Sequence, residues 1–284
     1  MLQIIRKNLK TLLSMRKLYI LILLTPFLIA CNKEERLASE RLTSARQYVE
    51  TGNFSLAKKE LDSIHILFPN QIEIRREAKN MSDSIVVLEA QRNINYIDSV
   101  RHGIEQAIDS LTKKFIFEHN KKYENHGRFT HKSLYHPGAA VTGLVATVND
   151  VADIEIRSTL VGIELRHNKV TLRSKGVEQS ASGTSYIVGN QDLSRKKLYI
   201  EVATIEGDDA RKLLHFVSAN AEDEIRVVLS GNLSSEYTMT STTREALADT
   251  YRLAILMSDL QSAEQQFSRA RALIYRFGSN NSEK

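Results

Sequence analysis

The spacing of apolar residues changes twice along this chain, and that change predicts the fold class. In two regions, apolar residues recur mostly at steps of three and four, as on a helix that buries one stripe. In the first region they are Ile74, Ala78, Met81, Ile85, Leu88, Ile97, Val100, Ile104, Ile108, Leu111 and Phe115. In the second they are Leu253, Leu256, Leu260, Ala263, Phe267, Ala270 and Ile274. Between residues 127 and 240 the step falls to two, which is typical of antiparallel strands with one wet face.

The two apolar stripes predict two long helices, at residues 71–118 and 243–276, that pack against each other. Thr242 to Glu245 has the pattern of a capping box at the start of the second helix, and Gly278 stands just past its end. The fold class is therefore α+β, with a mostly antiparallel β-rich segment inserted between the helices. The alternative is two separate amphipathic surface helices.

The inserted segment also predicts local structure. The apolar residues expected to share a buried face are Ile154/Ile156, Ile163/Leu165, Val170/Leu172, Leu198/Ile200/Val202 and Ile225/Val227/Leu229. A tight hairpin is expected at 165–170, since Asn168 tolerates a left-handed turn. One helix is expected to cover the sheet, with Asp208 as its N-cap and a buried stripe of Leu213, Leu214 and Val217.

Residues 44–70, SARQYVETGNFSLAKKELDSIHILFPN, resemble one tetratricopeptide helix pair. The resemblance implies that the small residue Ala57 lets two helices approach and that Pro69 follows the end of the second helix. Arg41 and Ser44 depart from the family pattern, which has Trp and Leu there. Since no second copy follows and a single repeat cannot bury its own face, this pair must pack on other helices.

An apolar run, LYILILLTPFLIA at 18–30, ends at the only cysteine of the chain. The run follows Arg16 and Lys17 and is too short to span a membrane, so it predicts a secretory signal. Leu28 to Cys31 resembles the lipobox of bacterial lipoproteins, which implies that Cys31 is lipidated and that residues 1–30 are removed. Asn32 after the cysteine implies the outer membrane, facing the periplasm or the cell surface. The alternative is an ordinary buried cysteine in a signal anchor. Both Met1 and Met15 are candidate translation starts.

Removing residues 1–30 changes the charge of the chain. The segment contains five basic residues and no acidic one, so 34 of each sign remain and the net charge falls from +5 to zero. A neutral chain lacks the electrostatic footprint of a nucleic-acid-binding protein. With Cys31 lipidated, no thiol is left for a disulfide, a metal or catalysis, and no cofactor is expected.

The junction between the first helical region and the strands is rich in histidine. His119, His126, His131 and His136 lie within 18 residues, and histidine is both a common metal ligand and a general base. Their spacing matches no helical metal motif, so exposed or locally bonded histidines are the favoured interpretation. The alternative is a metal site formed by His126, His131 and His136. The sequence contains neither a GxSxG nucleophile motif nor a phosphate-binding GxxxxGK loop.

Four Asp-Ser-aliphatic triplets occur in the helical region and resemble the O-glycosylation sequon of one group of Gram-negative bacteria. The candidate acceptors are Ser63, Ser84, Ser99 and Ser110. The alternative is that Asp-Ser pairs are simply helix-surface residues beside the apolar stripe. A glycan needs a surface position.

These patterns predict six segments. They are a signal peptide (1–30), a tether (31–43), a helical region (44–126), a β-rich head (127–240), a long C-terminal helix (241–278) and a disordered tail (279–284). The expected function is a membrane-anchored envelope lipoprotein, not an enzyme, that binds a protein or glycan partner. The alternative is a metal-dependent envelope hydrolase that uses the histidine-rich junction.

We predict that Cys31 carries lipid and that the mature protein lacks residues 1–30. Metabolic labelling with a palmitate analogue should mark the protein, because the cysteine thiol is the acceptor, and Cys31→Ser should lose the label. Label retained by Cys31→Ser would contradict the lipoprotein assignment.

Overall fold

The computed structural model describes residues 33–193 and 196–278. The expected signal peptide, Cys31 and the tail at 279–284 lie outside the described residues. None of the helices in the described part of the chain combines the length and apolar character that a membrane crossing requires.

The described chain contains five α-helices and ten strands. The helices are α1 (33–50), α2 (Phe54–Leu67), α3 (Ile72–Thr112), α4 (Gly207–Ala219) and α5 (Ser241–Gly278). The strands are β1 (Phe115–Glu118), β2 (Arg128–His131), β3 (Gly143–Asn149), β4 (Ile154–Gly162), β5 (Lys169–Ser174), β6 (Val177–Ser182), β7 (Thr184–Leu193), β8 (Lys196–Glu206), β9 (Arg226–Ser230) and β10 (Ser234–Thr238). The α+β class, with strands between two long helices, is confirmed.

The chain divides into two compact units, and each contains part of α3 and part of α5. The described residues of the first unit are 33–96 and 267–278, and the second unit is 97–266. All ten strands and α4 belong to the second unit.

In the first unit, α1 and α2 form an antiparallel pair joined by a short turn. Gly52 takes a left-handed conformation there, with φ of 74°, which glycine adopts without a steric penalty. Ala45 and Ala57 are fully buried, and such small side chains allow close helix approach. The apolar core of this unit consists of Leu42, Ala45, Ala57, Leu61, Ile64, Ala78 and Ile85, with Tyr48, Val49, Phe54, Ile74 and Met81 packed against it.

The expected tether at 31–43 is wrong where the structure describes it. Residues 33–43 belong to α1, and Ala38 and Leu42 are buried. With Ala45 these two residues form steps of four and three, so the apolar stripe of α1 begins well before residue 44.

The second unit contains two antiparallel sheets. The six-stranded sheet has the order β1-β2-β3-β4-β8-β7, and the four-stranded sheet has the order β10-β9-β5-β6. Their shared core includes Ile156 from β4, Leu172 from β5 and Ile205 from β8. Helix α4 buries Leu213, Leu214 and Val217, as predicted, and contacts β4, β5, β6 and β8. Its N-cap is Glu206 and not Asp208, because Gly207 already turns the chain with φ of 63°.

The first helical region ends earlier than the sequence indicated. Helix α3 stops at Thr112, and Phe115–Glu118 forms strand β1, which pairs with β2 in the register Phe115 to His131. Phe115 is buried, with its ring centroid 5.1 Å from that of His131. Phe115 continues the helical spacing in the sequence but packs as a strand residue. A spacing of three and four residues does not reveal that the helix has already ended.

The expected hairpin at 165–170 is also wrong. Strand β4 ends at Gly162 in one sheet and β5 begins at Lys169 in the other, so residues 163–168 cross between the sheets. Ile163 is exposed, while Leu165 is fully buried. Arg166, not Asn168, takes the left-handed conformation, with φ of 52°.

Within the second unit, α3 and α5 share one apolar core. Leu111 of α3 and Leu253 of α5 are buried in it, and Ile108, Leu256 and Met257 pack against it. Just past α3, the Lys114 ammonium lies 2.7 Å from the Asp249 carboxylate of α5. The expected partnership of the two long helices is therefore present here.

We predict that Leu253→Ala lowers the free energy of unfolding by roughly 2–5 kcal/mol, because Leu253 has no solvent exposure. Phe267 is only half-buried, so Phe267→Ala should cost less than the roughly 3–5 kcal/mol typical of a buried phenylalanine. Urea unfolding followed by circular dichroism measures both. A larger loss for Phe267→Ala than for Leu253→Ala would contradict the burial described above.

Candidate functional site

An open groove lies on the outer face of the six-stranded sheet in the second unit. Its volume is about 680 Å³, and residues 134–142 form one wall. This face is opposite to the core, because side chains alternate between the two faces of a strand. On β4, for example, Ile156 and Ser158 point into the core, while Arg157 and Thr159 line the groove.

The floor of the groove combines apolar side chains from three strands with Arg157 and Thr159 of β4. Val145 lies on β3, Ile200 and Val202 lie on β8, and Tyr186 and Val188 lie on the edge strand β7. Tyr186 and Val188 are 49% and 59% exposed, so part of this apolar surface faces solvent at the sheet edge.

Ile200 and Val202 share one face of β8, as predicted, and Val202 is buried, but this face lines the groove and not the core between the two sheets. The expectation for Leu198 lies outside the side chains that the structure describes. The buried core face of β8 carries Glu201, Ala203 and Ile205, and its groove face carries Ile200 and Val202. Both faces of β8 are thus largely apolar. A strand with apolar residues on both faces is expected to be covered on both sides. This pattern in β8 was the sequence feature that could have predicted the groove.

The charged groups of the groove compensate each other. Glu124 forms an ion pair with Arg128, and Arg157 Nε lies 3.5 Å from Glu155 Oε1. The hydroxyl of Tyr135 donates to Glu118 Oε1 at 2.8 Å. Glu118, Glu124, Arg128 and Arg157 are the carboxylates and guanidinium groups of the lining, so the groove has no net charge with His136 neutral.

Hydrogen bonds shift the pKa values of Glu124 and Tyr135. The backbone N–H of Asn120 donates to Glu124, and this bond, with the charge of Arg128, lowers the pKa of that carboxyl. The hydrogen bond to Glu118 raises the pKa of Tyr135. The carboxylate therefore stays ionised and the phenol stays protonated near neutral pH, and the groove offers defined hydrogen-bond donors and acceptors.

The structure does not bring the three candidate metal ligands together. His126 Nδ1 lies 2.7 Å from Asp150 Oδ1, whereas His131 is buried with Nε2 facing Asp249 at 3.7 Å. His136 is exposed and lines the groove. Burial lowers the pKa of His131, and the charge of Asp249 acts in the opposite direction. Across residues 33–193 and 196–278, no three His, Cys, Asp or Glu side chains are arranged to hold a metal ion.

A second polar arrangement lies in the core and was not predicted. His167 Nε2 is 3.1 Å from Ser158 Oγ, and His167 Nδ1 is 3.0 Å from Glu201 Oε2. This order of serine, histidine and carboxylate is that of a nucleophilic triad. All three residues, however, are fully buried, and none of them lines the groove described above.

The carboxylate of Glu201 has a structural role. Its Oε1 accepts from the backbone N–H groups of Leu165 and Arg166, both at 2.8 Å, and its Oε2 accepts from that of His167 at 3.2 Å. Burial by itself raises the pKa of Glu201, but these bonds and the bond from the His167 ring lower it overall. The charged side chain thus satisfies three backbone donors of the crossover between the sheets.

The candidate glycosylation serines differ in accessibility. Ser99 and Ser110 are exposed on α3, whereas Ser63 and Ser84 are half-buried. The hydroxyls of Ser63 and Ser84 donate to the backbone carbonyls of Lys59 and Asn80. Ser99 and Ser110 are therefore the two candidates that meet the need for a surface position.

Comparisons of this chain with protein-family models, with curated proteins and with solved structures find no match.

We predict that Glu201→Gln lowers stability at pH 7 by roughly 1–3 kcal/mol, because the amide keeps one acceptor oxygen for Leu165 and Arg166 but presents an NH₂ group, a donor, to the buried backbone N–H of His167. The folded-state pKa of Glu201 lies below its ordinary value of 4.5, so its contribution is present above that pH. The contribution is lost as pH falls through the folded-state pKa. The gap between wild type and Glu201→Gln should therefore narrow below pH 4.5.

Urea titrations from pH 7 to pH 3 measure the difference in the free energy of unfolding between wild type and Glu201→Gln. Glu178→Gln is the matched control, because Glu178 forms an ion pair with Arg173 on an exposed surface and should change stability by less than about 1 kcal/mol. Equal stability of the two variants at pH 7 would show that the buried carboxylate is not the determinant.

Proposed function

We propose that this protein is a membrane-anchored envelope lipoprotein whose β-rich unit binds a protein or glycan partner in the groove of the six-stranded sheet. The lipid on Cys31 is the anchor, and the outer membrane is the proposed location. The groove itself is the observation that carries the proposal.

The size and lining of the groove support a binding role. Its volume of about 680 Å³ falls within the roughly 300–1,000 Å³ of ligand sites in proteins. Valine and isoleucine side chains form much of the floor, and Tyr135 and Tyr186 also line the groove. Tyrosine combines an apolar ring with a polar hydroxyl, which suits the apolar faces and hydroxyls of a sugar as well as a peptide side chain.

The electrostatics of the groove favour an uncharged ligand surface. Each carboxylate and guanidinium group on its walls already has a polar partner. A strongly charged ligand gains no unpaired counter-charge there and loses its own hydration. We therefore expect neutral sugars or uncharged peptide segments rather than nucleic acid.

A photoreactive amino acid at position 186 tests the proposal in the intact envelope. We expect cross-linking from position 186 to a discrete protein or glycan. The matched control is position 123, because Tyr123 is 75% exposed but does not line the groove. Mass spectrometry and glycan staining identify the product.

A blocking substitution links the product to the groove. Val202→Arg places a long charged side chain on the groove floor and should abolish cross-linking from position 186. Equal yields from positions 186 and 123, or a yield at position 186 that Val202→Arg does not change, would contradict the proposed site.

A further inference from the structure

An exposed apolar tip lies at the turn between α2 and α3. Ile66 is 76% exposed, Leu67 is 55% exposed and Ile72 is 71% exposed. These three side chains, which we call the apolar tip, lie within seven residues and have no cover in the described part of the chain. Three strongly exposed apolar side chains so close together in the chain are a candidate contact surface.

The conformation of the turn is well defined by hydrogen bonds. The backbone N–H of Phe68 donates to Ile64 O at 3.1 Å, and that of Gln71 donates to Phe68 O at 3.2 Å. The Arg75 guanidinium donates to Pro69 O at 2.9 Å. Phe68 is buried and holds the turn to the first unit. The apolar tip is thus presented outward on an ordered scaffold.

The antiparallel pairing of α1 and α2 places the apolar tip beside the start of the described chain. Arg41 of α1 pairs with Glu60 of α2, with Nη1 and Oε2 2.7 Å apart. Glu34 precedes Arg41 by seven residues on α1, and Leu67 follows Glu60 by seven residues on α2. Each interval corresponds to about 10 Å along the helix axis. Because the helices are antiparallel, Glu34 and Leu67 lie at the same height along the pair.

The proposed lipid attachment residue is only a few residues from Glu34 in the sequence. Cys31 precedes Lys33 by two residues, and two residues of extended chain reach at most about 7 Å. A lipid on Cys31 would hold this end of α1, and with it the apolar tip, against the membrane.

We propose that the apolar tip of Ile66, Leu67 and Ile72 inserts into the interfacial layer of the membrane beside the lipid on Cys31. This inference rests on the lipid anchor of the proposed function. The lipid supplies attachment, and the apolar tip supplies a second contact that fixes the orientation of the first unit on the bilayer. Apolar side chains at the depth of the headgroups are the usual contacts of proteins that lie on a membrane without crossing it.

The charges around the apolar tip are nearly balanced. Four basic residues and three acidic residues lie near it in the sequence: Lys33, Arg36, Arg75 and Arg76, and Glu34, Glu35 and Glu73. Arg36 pairs with Glu40, and Arg76 pairs with Glu73. Insertion should therefore depend on apolar burial and change little between low and high salt.

The chain contains no tryptophan, so a single introduced tryptophan is an unambiguous probe. We choose Ile66→Trp and Ile72→Trp in the purified lipidated mature protein, which begins at Cys31, bound to phosphatidylcholine vesicles. Leu56→Trp is the matched control, because Leu56 is also exposed on α2, at 46%, but lies near its opposite end. Circular dichroism verifies the fold of each variant.

The expected result is a shift to shorter emission wavelength on vesicle binding, and quenching by brominated lipids, for positions 66 and 72 but not 56. Vesicle flotation reports the lipid anchor separately. If the variants float but positions 66 and 72 remain as solvent-exposed as position 56, the tip insertion is overturned while the anchor stands. If the protein fails to float, the anchor of the proposed function fails, and the inference falls with it. A blue shift already present without vesicles would assign the apolar tip to self-association and overturn membrane insertion.

Discussion

The carboxylate of Glu201 connects the two sheets of the β-rich unit. It sits on β8 in the six-stranded sheet and accepts three backbone N–H groups from residues 165–167, which lead into β5 of the other sheet. A buried charge is tolerated only where hydrogen bonds and an opposite or polar partner replace its hydration. The packing of both sheets on one core depends on this crossover, because Leu165 enters the core at the same point.

The position of the groove follows from the same strand. Since Glu201 points inward, its neighbours Ile200 and Val202 must point outward, and they form the floor of the groove. The inward direction of Glu201 therefore goes together with the outward direction of these two apolar side chains. Strand β8 lies between β4 and β7, and it has one face in the core and the other in the groove.

The histidine-rich junction illustrates how sequence proximity differs from spatial proximity. His126 precedes β2 and binds Asp150, His131 ends β2 and faces α5, and His136 lies on the wall of the groove. Alternation along β2 and the short turn after it send these side chains in different directions. The polar group that does assemble joins Ser158 of β4 and His167, nine residues later, to Glu201 of β8, which is 34 residues further along the chain. No local sequence motif indicates it.

Features that depend on neighbouring residues could be predicted from the amino-acid sequence. They are the long helices, the change to strand spacing, the helix at 207–219 and the α1–α2 pair, since periodicity and turn residues act over a few residues. Three features emerged only from the packing of the folded chain: Phe115 starts a strand, residues 163–168 cross between sheets, and Ile200 and Val202 face a groove. Those outcomes depend on which side chain fills the core and which buried donor needs a partner, and both are properties of contacts between segments far apart in the chain.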